Sequence, residues 1–180
     1  MRSVAVVSFL FVLGWQACPA PAAQAVKLKF DSYGGYFVSN QFEPAAARSF
    51  VVIGDQGRFD KVFGVARVMG DKSHRLPKDA FKSNLVLAVI QRGNAVWQYQ
   101  VEDVTVDGGV VQLRYTATAK KSESASFACP LIVSIPKGDY TAVRFVENKR
   151  PVKILEIMGC RESGPSRCLA SASSPAACGD

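Results

Sequence analysis

Five cysteines and a single histidine are the side chains with the greatest capacity for covalent or metal chemistry in this chain. Histidine is the usual general base and a frequent metal ligand, so His74 alone limits both kinds of chemistry. It sits in a polar stretch, Asp71-Lys72-Ser73-His74-Arg75, beside cations that disfavour its protonation, and reads as an exposed loop residue. A Cys129 nucleophile with His74 as base is the one catalytic pairing worth weighing. Cys129, however, alternates in phase with Phe127 and Leu131, which places it on an inward strand face. Cys129, Cys160, Cys168 and Cys178 are separated by 31, 8 and 10 positions without a C-x-x-C, a poor pattern for zinc. Glu102 and Asp103 are adjacent, so on a strand they point to opposite faces and make a poor acid/base pair. Gly34-Gly35 and Gly108-Gly109 read as turns, and no nucleophile elbow, P-loop, H-E-x-x-H or calcium loop occurs. The expectation is a protein with no catalytic residues, no cofactor and no metal.

The start of the chain reads as an address. Met1-Arg2 is a short positive opening, Val4 to Trp15 is almost wholly apolar, and small residues follow up to Ala23-Gln24-Ala25. This is the pattern of a secretory signal peptide over residues 1–25, cleaved after Ala25. Lipid attachment at Cys18 fits poorly, because Trp15-Gln16-Ala17 precedes it. No apolar run reaches the ~18 residues of a membrane span. The expected location is therefore periplasmic or secreted. Without Cys18 the cysteine count is even, which in an exported chain favours disulfides among Cys129, Cys160, Cys168 and Cys178. The pairing stays open: Cys168 with Cys178 and Cys129 with Cys160, or Cys160 with Cys168, or Cys129 as a free core thiol. The formal charge is +7, but no basic run exceeds two residues, so nucleic acid is not an expected partner.

Between these features the chain reads as strands. Val26 to Phe30 alternates apolar and basic residues, and Asp31 to Gly35 breaks the pattern. Ser49 to Ile53 is β-branched and aromatic. Gly54-Asp55 ends it and opens a helix whose apolar face is Phe59, Val62 and Phe63, with Asp55 as candidate cap. Leu85 to Ile90 is a continuous apolar run, the mark of a central strand covered on both faces. Arg92-Gly93-Asn94 turns the chain into Trp97, Tyr99 and Val101, whose phase flips at Glu102-Asp103 and so predicts a bulge. Asp107-Gly108-Gly109 predicts a hairpin into the alternating run Val111 to Ala119. Pro130 places the Phe127–Ile135 strand at an edge or a bulge, and strands over 140–146 and 152–157 follow. The predicted fold is mainly β, a β-rich α+β domain over residues 26–158. It is an antiparallel sandwich or partly open barrel with one short helix. Residues 159–180, rich in Gly, Ala, Ser and Cys, read as a tail without a core.

The stretch from Ser49 to Glu147 resembles the PrcB family, small exported domains associated with a bacterial protease complex. The resemblance rests on the early helix at Arg58 to Phe63 and on Asp79-Ala80-Phe81-Lys82-Ser83-Asn84 leading into an apolar strand. Gly93, Trp97 and Tyr99 and the closing segment Cys129-Pro130-Leu131-Ile132-Val133-Ser134-Ile135-Pro136-Lys137 also carry it. The family's Thr-Gly-Gly-Tyr turn is replaced here by Arg92-Gly93-Asn94-Ala95-Val96-Trp97. The resemblance implies a non-catalytic accessory or chaperone-like module that binds a protein partner, including an exported protease. The candidate contact turn is Arg92, Gly93, Asn94 and Trp97. The alternatives are a chagasin-type cysteine-protease inhibitor, suggested by Arg150-Pro151 and Gly108-Gly109, and a structural domain of the envelope.

Overall fold

The computed structural model describes residues 25–66 and 74–157. The predicted leader up to residue 24 and the predicted tail lie outside the described residues, and with them Cys18, Cys160, Cys168 and Cys178. The strands are β1 Val26–Lys27, β2 Asp31–Tyr33, β3 Tyr36–Val38, β4 Arg48–Ile53, β5 Phe63–Val65 and β6 Asn84–Gly93. They continue as β7 Ala95–Asp107, β8 Val110–Lys121, β9 Phe127–Pro136, β10 Ala142–Glu147 and β11 Arg150–Glu156. A helix α1 spans Gln56–Val62, and a 3-10 turn spans Ala80–Lys82.

The fold is mainly β, as the alternation predicts. A first sheet runs β1-β7-β8-β10-β11, a second runs β2-β9-β6-β4, and β3 pairs with β5 in a small ribbon. The first two sheets pack face to face, and among the described residues no sheet closes into a barrel. The apolar run in β6 is explained by layers on both sides. Leu87 and Val89 join Leu113, Val133 and Phe145 in the core between the sheets. Val86, Ala88 and Ile90 point the other way, to a second core with Phe59, Val62, Phe63 and Phe81. Helix α1 supplies Phe59 and Val62 to that core, and its first turn is capped because the Asp55 side chain accepts the Arg58 N–H at 2.8 Å. The ladder between β7 and β8 shifts register between Val101 and Asp103, the bulge that the change of phase predicts. Gly108 and Gly109 take φ values of 54° and 79° in the turn that follows, a conformation open to glycine at little cost.

The structure differs from the sequence reading in several elements. The stretch from Asp31 is not a break: Asp31–Tyr33 is β2, pairing with β9. The entering chain thus edges the first sheet with β1 and then the second with β2. The first sheet is not purely antiparallel, because β10 lies parallel to β8 from Ala142↔Val110 to Glu147↔Tyr115. The connection between them contains β9, which belongs to the other sheet, so the chain crosses the sandwich and returns in the original direction. Strand β9 is also internal, between β2 and β6, though β2 stops opposite Ile132, so its ladder does not reach Pro130.

Candidate functional site

Strand β6 ends at Gly93 and β7 begins at Ala95, so Asn94 is the corner where the chain passes from the second sheet to the first. Gly93 has φ 135°, which a side chain would strain. Asn94 is exposed, and its carbonyl accepts the Ser122 N–H at 2.9 Å. Arg92 turns inward. Its Nη1 donates to Ala46 O at 3.1 Å and Ser49 Oγ at 2.8 Å, and its Nη2 donates to Phe42 O at 2.9 Å. Burial lowers its pKa, and Glu43 acts in the opposite direction. Arg92 therefore ties the 42–49 segment to the corner. Trp97 is half-buried against the inter-sheet core. Of the predicted contact residues, Asn94 is the one that faces solvent freely.

A polar clip closes the sandwich just inside this corner. Arg48 Nη2 donates to Glu147 Oε1 and to Gln91 Oε1, both at 3.1 Å. Gln91 Nε2 and the Tyr115 hydroxyl each donate to Glu147 Oε2 at 3.0 Å. Gln91 and Tyr115 are 3% and 1% exposed, so these bonds replace water that neither group can reach. Arg48 and Gln91 belong to the second sheet, whereas Tyr115 and Glu147 belong to the first. Burial, reinforced by the neighbouring Glu147 charge, raises the Tyr115 pKa far above the usual tyrosine range. Tyr99 rises for the same leading reason, with Cys129 and Glu147 adding to it. Both Glu147 oxygens are thus occupied by donors within the protein. The sequence singled out none of this clip, because Glu147 precedes Asn148-Lys149 and looks like a turn carboxylate.

Cys129 faces the first sheet, as its phase predicts. It is a free thiol, with Sγ 3.4 Å from the Trp97 N–H and its carbonyl accepting the Tyr99 hydroxyl at 3.0 Å. Its candidate disulfide partners Cys160, Cys168 and Cys178 lie outside the described residues. His74 is exposed and stacks on Tyr33, with ring centroids 4.9 Å apart. Tyr33 packs with the core on the far face of the second sheet, so His74 and Cys129 stand on opposite faces of β9. Among the described residues no cluster of His, Cys, Asp and Glu could hold a metal ion.

Surface chemistry separates the two ends of the sandwich. The Asn94 end carries exposed Lys120 and Lys121, and exposed Lys149 and Arg150 in the β10–β11 turn. That turn is held against β8 by Asn148, whose Oδ1 accepts the Ala117 N–H at 3.1 Å. Gly108-Gly109 lies at the opposite end, where Gly109 O accepts the Thr141 N–H at 2.9 Å. The two segments that suggest a three-loop inhibitor are therefore separated by the length of β10. A groove of about 780 Å³ opens between β4 and β11, lined by Phe50, Val52, Leu85, Tyr140, Leu155 and Ile157. Among the described residues no helix is long and apolar enough to cross a membrane. No protein-family model matches the chain, and neither a curated protein nor a solved structure matches it.

Proposed function

We propose that the chain is an exported, non-catalytic accessory module that binds a protein partner through the Asn94 end of the sandwich. The observation that carries this reading is the exposed cationic rim around the corner. Asn94 and Val96 are exposed, Ala95 and Val96 pair with Lys121 and Lys120, and exposed Lys149 and Arg150 follow Asn148, which bonds Ala117 three residues before Lys120 on β8. Glu123 is the one acidic residue between Lys120 and Phe127. Such a rim favours an acidic protein surface and speeds encounter with it. The resemblance of residues 49–147 to PrcB-type domains supports a protease-associated, chaperone-like role, with an exported protease as the partner class. The occupied oxygens of Glu147 and the separation of His74 from Cys129 support a binding role over a catalytic one. Affinity recovery with the exported chain tests the reading. The partner that the wild type retains should be lost from Lys120→Glu/Lys121→Glu and weakened by Asn94→Ala. Retention of the same partner by all variants would remove this end from consideration. Arg92 is a poor probe, because its loss would free the 42–49 segment.

A further inference from the structure

We infer that two copies of the chain associate about a two-fold axis by antiparallel pairing of their β4 edges. Strand β4 ends the second sheet, and among the described residues no backbone hydrogen bond engages Ser49–Ile53 on the side away from β6. Open strand edges invite pairing, and proteins blunt them with prolines, charges or short length. The other edges are blunted in these ways. Strand β11 carries Pro151 and Lys153, and β1 and β2 are two and three residues long. Strand β4 presents Ser49-Phe50-Val51-Val52-Ile53 without a proline or a charge.

Self-pairing also satisfies the geometry and the charges. Centred on Val51, an antiparallel register sets Phe50 against Val52 of the second copy and Ser49 against Ile53. Paired residues then keep the same face, so Phe50 and Val52 stay over the apolar groove while Val51 and Ile53 stay on the helix side. The same register brings Arg48 opposite Gly54 of the second copy, where Arg48 keeps its counter-charge in Glu147 of its own copy and adds no uncompensated cation to the seam, and the two-fold repeats this at both ends. Chains with a net positive charge repel, and the Asn94 end with its four cations would oppose a second copy. The groove rim does not, since Arg58 and Lys137 are balanced there by Asp139 and Glu156.

Sedimentation equilibrium of the exported chain tests this, and the result bears on β4 independently of partner binding at the Asn94 end. A dimer is expected. Val52→Lys, which points a cation inward beside the edge, should weaken association by about tenfold or more. Lys120→Glu/Lys121→Glu should leave association intact. Amide exchange in the wild type covers the case in which Val52→Lys fails to fold: protection of residues 49–53 should rise with protein concentration. A wild type that stays monomeric up to about 0.5 mM would overturn the inference. So would a dimer indifferent to Val52→Lys. Protection of β4 amides that is independent of concentration would mean that another part of the chain covers the edge, and would equally overturn it.

Discussion

Glu147 is the side chain on which the two sheets converge, and its partners set the cost of losing it. In Glu147→Ala, Gln91 and Tyr115 would keep buried donors with no acceptor, and Arg48 would keep a charge with no counterpart. Hydrogen bonds to charged groups contribute roughly 1.5–3 kcal/mol, so a loss of about 2–3 kcal/mol is expected from urea unfolding. Arg48→Ala should cost less, because its side chain is 33% exposed against 10% for Glu147. A double-mutant cycle over the pair would separate the coupling from the two truncations. Tyr115 adds a pH dependence. Its folded pKa lies above the unfolded value near 10, so the protonated hydroxyl is favoured by folding. The stability it contributes is complete below pH 10 and is lost as pH rises through the folded value. Tyr115→Phe should therefore be less stable than wild type at neutral pH and should lose less on going to about pH 11. Denaturant midpoints at the two pH values check this. Tyr115 was legible as an inward residue from its place in the alternation of β8. Glu147 and Arg92 were not, because a charged residue beside a turn reads as solvated unless the carbonyls and donors that meet it are known.

Elements with strong local signals were legible, and those made by their partners were not. The apolar run of β6, the alternation of β8 and the glycine turn between β7 and β8 each carry their own pattern. Strand β2 is three residues with two exposed, and β3 and β5 hold each other, so neither has a period to read. The ribbon also shows how one small residue sets an element. The Phe37 ring lies over Gly64, where an added Cβ would sit 2.2 Å from the ring Cζ. This accounts for a phenylalanine that stays 53% exposed. Gly64→Ala should turn that ring outward, visible as a shift of the Phe37 ring resonances, with a stability loss under about 1 kcal/mol because the ring is free to move. Helix α1 is short enough for its cap to matter. Asp55→Ala should destabilise the protein by about 1 kcal/mol, and Asp55→Ser should restore most of it, as read from thermal midpoints.

At the scale of the whole molecule, period-2 patterning states which face of a strand is apolar but not which sheet the strand joins. That is why the fold class was legible while the parallel β8–β10 pairing was not: β9, which lies between them in sequence, belongs to the opposite sheet. The same gap hid the part played by the entering chain. Leu28 N–H donates to Val104 O at 2.8 Å, and Leu28 and Phe30 pack into the inter-sheet core before β2 reaches β9. The segment therefore edges both sheets on one side of the sandwich, and the Tyr33 hydroxyl fixes it to Ser134 Oγ at 3.1 Å. Removing the chain up to residue 33 should bare the outer edges of β7 and β9. Strand β9 carries Leu131 to Ile135 at that edge, an uncharged β-branched run of the kind that pairs between molecules. The loss of the half-buried Leu28 and Phe30 should cost roughly 2–4 kcal/mol, and the truncated protein should scatter light at concentrations where the intact chain does not. A truncated chain with an unchanged unfolding midpoint and no added scattering would show that the sandwich closes without this segment.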